Sequence, residues 1–161
     1  MIIFLTGPIG AGKSTLGRAL AAQLGGHHIE GDDYQLPDRP WYAAALRVAR
    51  CILRDALSEA KAGRPAIISY PLRCREWLYL KRHCERSGFA TRFVALQADA
   101  DRIVSPLRGR TFSAWEQQRI REMVDQGYDR PAFADAVVRT DRDAVDESLR
   151  KLIAALGSVS R

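Results

Sequence analysis

The 161-residue sequence predicts an α/β fold in which about five parallel strands form one sheet with helices on both of its faces. Two observations predict it. Short, continuously apolar runs, which are typical of strands buried on both faces, alternate with longer segments whose apolar residues recur at helical spacing. This alternation favours strand–helix–strand units, which build a three-layer structure around a parallel sheet. The chain contains neither an internal repeat nor a low-complexity linker, so residues 1–161 are expected to form a single domain.

The elements are expected in strict alternation along the chain. Strands are predicted at residues 2–5, 27–30, 66–68, 92–96 and 136–138. Helices are predicted over residues 13–24 and 41–62, around Trp77 to Cys84, from Ser113 to Gly127, and from Val145 to Leu156. Gly25-Gly26 ends the first helix, and Ser113 with Glu116 forms a capping box that begins the fourth. Helical spacing also predicts a buried face on the helix over 41–62, which carries Leu46, Ala49, Leu53, Ala56, Leu57 and Ala60.

Composition and charge narrow the class of protein. The chain has a net charge of +6 and 47% hydrophobic residues, which fits a globular protein with anionic partners such as nucleotides, acidic metabolites or nucleic acid. No apolar run approaches the roughly 20 residues that cross a bilayer, and the N-terminus lacks the charged leader of a signal peptide. Cys51, Cys74 and Cys84 lack metal-type spacing and are interpreted as reduced thiols. A cytoplasmic protein without a membrane anchor is expected.

A phosphate-binding motif lies between the first strand and the first helix. Residues 7–14 read GPIGAGKS and match the pattern G-x-x-x-x-G-K-[ST]. Glycines let backbone N–H groups turn inward around phosphate oxygens, and the helix N-terminus adds its dipole. Lys13 is expected to reach the β- and γ-phosphates of a nucleoside triphosphate, and the Ser14 hydroxyl to ligate Mg²⁺. The expected phosphate-binding residues are Gly7, Gly10, Ala11, Gly12, Lys13, Ser14 and Thr15.

Three acids, Glu30, Asp32 and Asp33, follow the second strand in this basic chain. The sequence lacks the Asn/Thr-Lys-x-Asp motif with which GTPases read their base. The third strand leads into Ser69-Tyr70, where a switch ATPase usually places a Walker-B aspartate, and Asp99 after the fourth strand is the rival candidate. The best-placed source of carboxylates for Mg²⁺ and for a nucleophile is therefore the Glu30-x-Asp32 pair.

The motif at 7–14, followed by Glu-Gly-Asp at 30–32, resembles the P-loop small-molecule kinases. It is similar to shikimate kinase and especially to the bacterial-type gluconate kinases, whose second strand ends in Asp-Gly-Asp. The segments DRPWYAAAL at 38–46 and RFVALQADADRIVSPLRGR at 92–110 extend the resemblance over most of the chain. Two departures concern the substrate: the chain is shorter between Asp33 and Trp41, and Arg110 is followed by Thr-Phe rather than Gly-His-Phe.

The resemblance implies the P-loop fold of the nucleoside-monophosphate-kinase type, with ATP and Mg²⁺ as the cofactors. It also implies a substrate-side segment of about 32–62 and a lid segment of about 105–115. Asp32 would accept a hydrogen bond from the acceptor hydroxyl and take its proton, with Lys13 and Arg110 as the other catalytic residues. Glu30 would hold a Mg²⁺-bound water, and Asp33 would assist on the substrate side. Arg108 would lie against the adenine or the phosphates, and Thr140-Asp141-Arg142 would lie where related kinases contact adenine.

Further substrate-binding residues are expected at the carboxyl edge of the sheet, where open α/β folds bind their ligands. Tyr70, Arg73 and Arg75 follow the third strand and could grip a carboxylate or a phosphate on the acceptor. The three tryptophans, Trp41, Trp77 and Trp115, are interpreted as packing anchors rather than base-stacking residues.

The leading functional hypothesis is an ATP-dependent kinase that moves a γ-phosphoryl group to a hydroxyl of a small, anionic metabolite, such as a sugar acid or a shikimate-like compound. A nucleotide or nucleoside kinase, a 5′-hydroxyl polynucleotide kinase and a non-catalytic nucleotide-binding protein are the alternatives. The expected partner is a small-molecule substrate rather than nucleic acid, and no membrane partner is expected. A monomer or a homodimer is expected.

Overall fold

The computed structural model describes residues 1–36, 41–105 and 109–158, without the side chains of 41–43. Five strands are present: β1 (Ile2–Thr6), β2 (His27–Glu30), β3 (Ala66–Ser69), β4 (Thr91–Gln97) and β5 (Ala136–Arg139). The described helices are α1 (Lys13–Leu24), α2 (Trp41–Lys61), α3 (Cys74–Arg86), α4 (Ala100–Ile103), α5 (Ala114–Asp125) and α6 (Val145–Ser158). The predicted strands and long helices are confirmed, most of them to within one residue.

All five strands run parallel in one sheet of order β2-β3-β1-β4-β5. Strand β1 is central, with Ile2 paired to Ala66 of β3 on one side and to Thr91 of β4 on the other. Because every strand points the same way, the loops that follow them meet at one edge of the sheet. The loop after β1 therefore lies in the middle of that edge, with β2 and β3 on one side and β4 and β5 on the other.

Helices cover both faces of the sheet, as predicted. Successive side chains of a strand point to opposite faces, so Ile2 and Phe4 of β1 pack into one core cluster and Ile3 and Leu5 into the other. Helices α2 and α3 cover the first face, and α1, α5 and α6 contribute to the second. The two clusters explain why the strands are continuously apolar.

The buried face of α2 differs from the prediction. Leu46 is 39% exposed, whereas Ala45, Val48 and Ile52 are buried. Near the start of α2 the face that packs on the core therefore carries Ala45 and Val48 rather than Leu46. The other end of the stripe, with Ala49, Leu53, Ala56 and Ala60 buried, agrees with the prediction.

Two short elements were not predicted. A single 3₁₀ turn covers Gly31–Tyr34, directly after β2, and α4 follows β4. The Asp99 side chain accepts a hydrogen bond from the Asp101 N–H and caps α4. Asp99, the rival candidate for a magnesium-binding acid, thus has a structural role at this helix. No helix in the described part of the chain is long and apolar enough to span a membrane.

Candidate active site

The loop between β1 and α1 wraps tightly around a central space. Gly7 and Gly10 have φ angles of 147° and 77°, in the region that side chains disfavour. A Cβ atom on Gly7 would lie 2.7 Å from the Leu96 carbonyl oxygen, and one on Gly10 would overlap Ile103. Glycine is therefore required at both positions by contacts as well as by backbone conformation. Glycine-rich loops in such conformations can turn backbone N–H groups towards a bound phosphate.

The Lys13 side chain folds back onto this loop. Its Nζ atom donates to the carbonyl oxygens of Gly7, at 3.1 Å, and Pro8, at 2.8 Å. Burial lowers the pKa of Lys13 to about 8, although the nearby Asp32 and Glu30 carboxylates oppose this shift. The Lys13 ammonium group is partly desolvated and lies close to two acids. When a phosphate binds, this group can exchange its two carbonyl partners for phosphate oxygens.

Hydroxyl groups from distant strands hold the loop in place. Ser69 Oγ, at the end of β3, donates to the Lys13 carbonyl oxygen at 2.9 Å and lies 2.9 Å from His28 Nε2. Thr140 Oγ1, just after β5, donates to the Ala11 carbonyl oxygen at 2.8 Å. Sequence reasoning missed these roles of Ser69 and Thr140. In the sequence, each is a small hydroxyl residue at the carboxyl end of an apolar strand, and this pattern could have indicated a role in holding the loop.

A cavity of about 730 Å³ opens over the loop. Its floor is the loop and the start of α1, from Ile9 to Leu16. One side carries residues that follow β2 and β3, and the opposite side carries residues that follow β5. The remaining lining residues are Asp32, Gln35, Tyr70, Pro71, Ile103, Arg110, Phe112, Trp115, Glu116, Arg119, Met123, Tyr128, Thr140, Asp143, Ala144, Val145 and Ser148.

Of the three acids after β2, Asp32 lines this cavity. Desolvation raises the pKa of Asp32 above its ordinary value, and the Glu30 and Asp33 charges raise it further, while Lys13 opposes them. Glu30 and Asp33 are not among the described residues that line the cavity, but their charges raise the pKa of Asp32, which does line it. The structure therefore brings Asp32 and Lys13 together at one site, where the charge of Glu30 acts on both.

Among the predicted substrate-binding residues, Tyr70 lies on the cavity wall and is buried. Its ring packs against Gly31, where a Cβ atom would overlap it, and its hydroxyl accepts a hydrogen bond from Gln35 Nε2 at 3.2 Å. Burial raises the pKa of Tyr70 to about 12, so its hydroxyl stays protonated. Tyr70 and Gln35 together present polar groups to the side of the cavity that holds Asp32.

Arg73 and Arg75, the two arginines predicted to bind the substrate, do not line the main cavity. Arg73 Nε donates to the Tyr128 hydroxyl, and its guanidinium lies 5.6 Å from the centre of that ring. Arg73 lines a second cavity of about 530 Å³, on the other side of Tyr128. Arg75 forms a 3.4 Å ion pair with Glu76 and lines neither of these two cavities. Sequence reasoning missed Arg119, Gln35 and Tyr128 on the main cavity wall.

Arg110 of the lid segment lines the main cavity. Its Nη2 atom lies 3.3 Å from Glu116 Oε1, and its guanidinium stacks 4.6 Å from the centre of the Phe112 ring. Glu116 also completes the predicted capping box with Ser113, which begins α5. Arg108 lies outside the described residues.

On the side of the main cavity that follows β5, Asp141 is not a lining residue. Its buried carboxylate accepts hydrogen bonds from Arg139 Nε, at 2.9 Å, and from the Asp99 N–H, at 3.0 Å. Burial raises the pKa of Asp141, but these hydrogen bonds outweigh it and hold the pKa below its usual value. Of the predicted segment 140–142, Thr140 reaches the cavity on this side, together with Asp143, Ala144, Val145 and Ser148, which sequence reasoning missed.

Trp115 was interpreted as a packing anchor, and that interpretation is wrong. Its side chain is 69% exposed at the rim of the main cavity. Trp77 does pack, stacking on Phe133 with ring centres 5.1 Å apart. The side chain of Trp41 lies outside the described residues.

No group of three or more His, Cys, Asp or Glu residues that could hold a metal ion occurs in the described ranges. A divalent cation at this site would therefore depend on ligand phosphates, water and the Ser14 hydroxyl, which lines the cavity. Mg²⁺ is usually bound in this way, through one or two protein groups plus substrate phosphates.

Fold and site together define the class of this protein. A parallel sheet of order β2-β3-β1-β4-β5, with a glycine-rich phosphate loop between the central strand and α1, has the architecture of the P-loop kinases. The family model AAA_33, described as an AAA domain, matches residues 2–131. The chain belongs to this family.

Comparison with solved structures agrees with this class. A gluconokinase from Sinorhizobium meliloti superposes with a TM-score of 0.75 at 20% identity, over 98% of this chain and 92% of that one. A shikimate kinase from Acinetobacter baumannii, in complex with shikimate, gives a TM-score of 0.70 at 17% identity, over 99% of this chain and 94% of that one. The resemblance to P-loop small-molecule kinases and the predicted fold are confirmed.

One curated relative matches a short segment of this chain. Shikimate kinase from Psychrobacter cryohalolentis is 56% identical over 32 residues. This segment is 20% of the present chain and 17% of that protein.

Proposed function

We propose that this protein is an ATP-dependent phosphotransferase that moves the γ-phosphoryl group to a hydroxyl of a small metabolite. The observation that carries the proposal is the position of Asp32, whose carboxylate lines the same cavity as the phosphate loop and acts electrostatically on Lys13. A nucleotide-binding protein needs the loop and the lysine. A carboxylate beside them is what a transferase needs in addition, to hold an alcohol in line with the terminal phosphorus.

The loop fits a triphosphate. Gly7 and Gly10 leave no room for side chains against Leu96 and Ile103, and the loop that they belong to leads into the N-terminus of α1. Backbone N–H groups and Lys13 would bind the β- and γ-phosphates. Mg²⁺, when bound, neutralises charge on these phosphates. Ser14 would hold it directly, and Glu30 would hold it through a water molecule.

Asp32 would orient the acceptor and take its proton. Its raised pKa makes it a better proton acceptor than an ordinary aspartate, since proton affinity rises with pKa. Lys13 opposes this shift and helps to keep the carboxylate ionised before the acceptor binds.

Arg110 would stabilise the charge that spreads over the transferring group. Arg110 lines the cavity, and its guanidinium stacks on Phe112 and pairs with Glu116, while the side chain is still 58% exposed. A preorganised cation in a site that excludes water stabilises such charge strongly. We propose that the lid segment of about 105–115 provides this exclusion and so limits the hydrolysis of ATP.

The acceptor would bind between the 3₁₀ turn and α5. Gln35, Tyr70 and Tyr128 supply amide and hydroxyl groups there, which suit a compound with several hydroxyls. Arg119 lines the same cavity and would favour an anionic acceptor. A sugar acid or a shikimate-like compound meets both requirements, and the matching solved structures are named as a gluconokinase and a shikimate kinase.

The test is release of ADP in the presence of Mg²⁺ and a panel of acceptors. The panel contains sugar acids, shikimate, nucleosides, nucleoside monophosphates and a 5′-hydroxyl oligonucleotide, each compared with the rate without acceptor. Asp32→Asn should lose phosphoryl transfer by at least about a hundredfold, the usual contribution of a positioned base, while ATP still binds. Asp125→Asn makes the same change on the exposed surface of α5 and should keep full activity.

The outcomes separate the alternatives. Faster turnover with a nucleoside monophosphate or the oligonucleotide would assign the protein to those kinase classes instead. ATP binding without transfer to any acceptor, or an Asp32→Asn variant as active as the unmodified protein, would contradict the proposal.

A further inference from the structure

The turn that carries Asp32 is anchored to the sheet at one end. Asp32 lies in the 3₁₀ turn Gly31–Tyr34, which the Gln35 N–H closes with a 3.0 Å hydrogen bond to the Asp32 carbonyl oxygen. Gly31 packs so closely on the buried Tyr70 ring that a Cβ atom there would overlap it, and the Gln35 side chain donates to the Tyr70 hydroxyl. Because Tyr70 directly follows β3, these contacts fix the turn to the sheet.

At its other end the turn is tied to α2. The Tyr34 hydroxyl donates a hydrogen bond to Asp55 Oδ2, and the Tyr34 ring packs against the core cluster on this face of the sheet. Burial and the bond to Asp55 raise the pKa of Tyr34, so the phenol keeps the proton that it donates. The Tyr34 hydroxyl therefore anchors the turn to a carboxylate on a neighbouring helix.

Asp55 is a firm support for this bond. It lies on α2 between Ile52 and Ala56, which are fully buried in the core, so the helix around it is fixed to the sheet. Arg54 donates to both Asp55 oxygens, from Nε at 2.6 Å and from Nη2 at 3.1 Å. These hydrogen bonds hold the pKa of Asp55 below its ordinary value against the effect of burial, and the bond from Tyr34 adds to them. Asp55 is therefore an ionised acceptor, which makes its hydrogen bond from Tyr34 stronger than a bond between neutral groups.

We propose that Tyr34 and Asp55 are positioning residues, whose hydrogen bond fixes the 3₁₀ turn and so holds the Asp32 carboxylate beside the phosphate loop. The inference rests on the proposed function, in which Asp32 orients the acceptor. Neither Tyr34 nor Asp55 is among the described residues that line the main cavity, so their effect passes through Asp32 rather than through contact with a ligand. A catalytic group that is displaced by about 1 Å can lose roughly a hundredfold in rate.

The first test follows the turn without any ligand. Tyr34→Phe removes the hydroxyl and keeps the ring, so the packing against the core is preserved. We expect the backbone amide of Gln35 to exchange its hydrogen with solvent roughly tenfold faster in this variant, as loss of a hydrogen bond to a charged group implies. The Thr140 amide donates to the Gln97 carbonyl oxygen at 3.0 Å on the side of the cavity opposite Asp32, and its exchange should be unchanged.

The second test measures phosphoryl transfer with the compound of the acceptor panel that gives the fastest turnover. Tyr34→Phe should lower kcat about tenfold, because Asp32 is in line with the terminal phosphate for less of the time, whereas KM for ATP and the affinity for ADP should stay within about twofold. A general loss of structure would weaken nucleotide binding as well. Tyr79→Phe removes the same hydroxyl from α3, where the residue lines neither cavity, and should change none of these quantities.

Substitutions of Asp55 show whether the two residues act through one bond. Asp55→Ala removes the acceptor and should lower kcat as much as Tyr34→Phe, whereas Asp55→Asn keeps an oxygen that can accept from Tyr34 and should restore most of the rate. The double variant Tyr34→Phe/Asp55→Ala should be no slower than the slower single variant, since both substitutions break the same contact. The Arg54 side chain is 70% exposed, and Arg54→Gln leaves Asp55 in place on α2, so it should have little effect.

Three results would overturn the inference. The first is Gln35 exchange that is equally fast in Tyr34→Phe and in the unmodified protein. The second is an unchanged kcat in Tyr34→Phe, and the third is an equal loss of kcat and of nucleotide affinity, which would indicate a general structural effect. An unmodified protein that transfers phosphate to no compound of the panel would lose the proposed function. Faster Gln35 exchange in Tyr34→Phe would then still show that this bond holds the turn of Asp32.

Discussion

Thr140 Oγ1 donates a hydrogen bond to the Ala11 carbonyl oxygen at 2.8 Å, joining residues 129 positions apart in the sequence. Thr140 follows β5 and Ala11 lies in the phosphate loop, so this bond ties the loop to the side of the cavity opposite Asp32. The Thr140 side chain is buried, and its hydroxyl also lies 3.4 Å from the Gln97 carbonyl oxygen. The shape of the loop therefore depends on a contact outside the loop.

Replacing Thr140 by valine should destabilise the protein and weaken nucleotide binding. Valine has nearly the same shape but leaves the buried Ala11 carbonyl oxygen without this partner, which costs about 1–3 kcal/mol. The free energy of unfolding, measured by urea denaturation, should fall by that amount, and ADP should bind more weakly because the loop is less well held. Thr140→Ser keeps the hydroxyl and is the matched control. Equal stability of the valine and serine variants would contradict the prediction.

Gly10→Ala should damage the phosphate loop by overpacking as well as by backbone strain. Gly10 has a φ of 77°, and an added Cβ would overlap Ile103 and lie 3.0 Å from Phe112 Cζ. Both side chains are buried, so neither can move freely. We expect a loss of about 1–3 kcal/mol in the free energy of unfolding from overpacking, added to the cost of a left-handed alanine. ADP binding should be strongly reduced.

The control is Gly88→Ala at the end of α3. Gly88 has nearly the same φ, 79°, but an added Cβ would meet no atom within 4 Å. Gly88→Ala therefore adds backbone strain without overpacking. The difference between the two variants in the free energy of unfolding measures the cost of overpacking at Gly10. If both lose the same free energy of unfolding, Ile103 and Phe112 do not constrain the loop.

Local patterns were sufficient to predict most of the fold. The apolar strands, the glycines after helices and the Ser113/Glu116 capping box depend on neighbouring residues, and they are found as expected. The phosphate loop and the acids after β2 could be predicted for the same reason, since each motif occupies one short stretch of the chain.

Contacts between distant segments could not be predicted in this way. The exposure of Trp115 depends on how α5 crosses the sheet, and the role of Thr140 depends on the approach of β5 to the loop. Asp141 follows β5 as expected, but its carboxylate pairs with Arg139 and the residue does not line the cavity. These arrangements are tertiary, and patterns among neighbouring residues do not determine them.

Nucleotide binding should take up protons at mildly alkaline pH. Burial lowers the pKa of Lys13 to about 8, so a large fraction of this side chain is neutral at about pH 8.5. Bound phosphates favour the charged form and raise that pKa, whereas the phosphates of free ADP are already ionised at this pH. Binding therefore draws a proton onto Lys13, and ADP affinity should fall as the pH rises above about 8.

Calorimetric titration with ADP in two buffers of different ionisation enthalpy measures this uptake directly. We expect an uptake of roughly three-quarters of a proton at about pH 8.5 and little from Lys13 at about pH 6.5, where the lysine is charged with or without ligand. Lys13→Arg is the matched control, because a guanidinium stays charged over this whole range and should show no uptake at the higher pH. Equal uptake in Lys13→Arg and in the unmodified protein would assign the proton to another group. No uptake in the unmodified protein would mean that the Lys13 ammonium group is already fully charged at this pH, despite its burial against the carbonyl oxygens of Gly7 and Pro8.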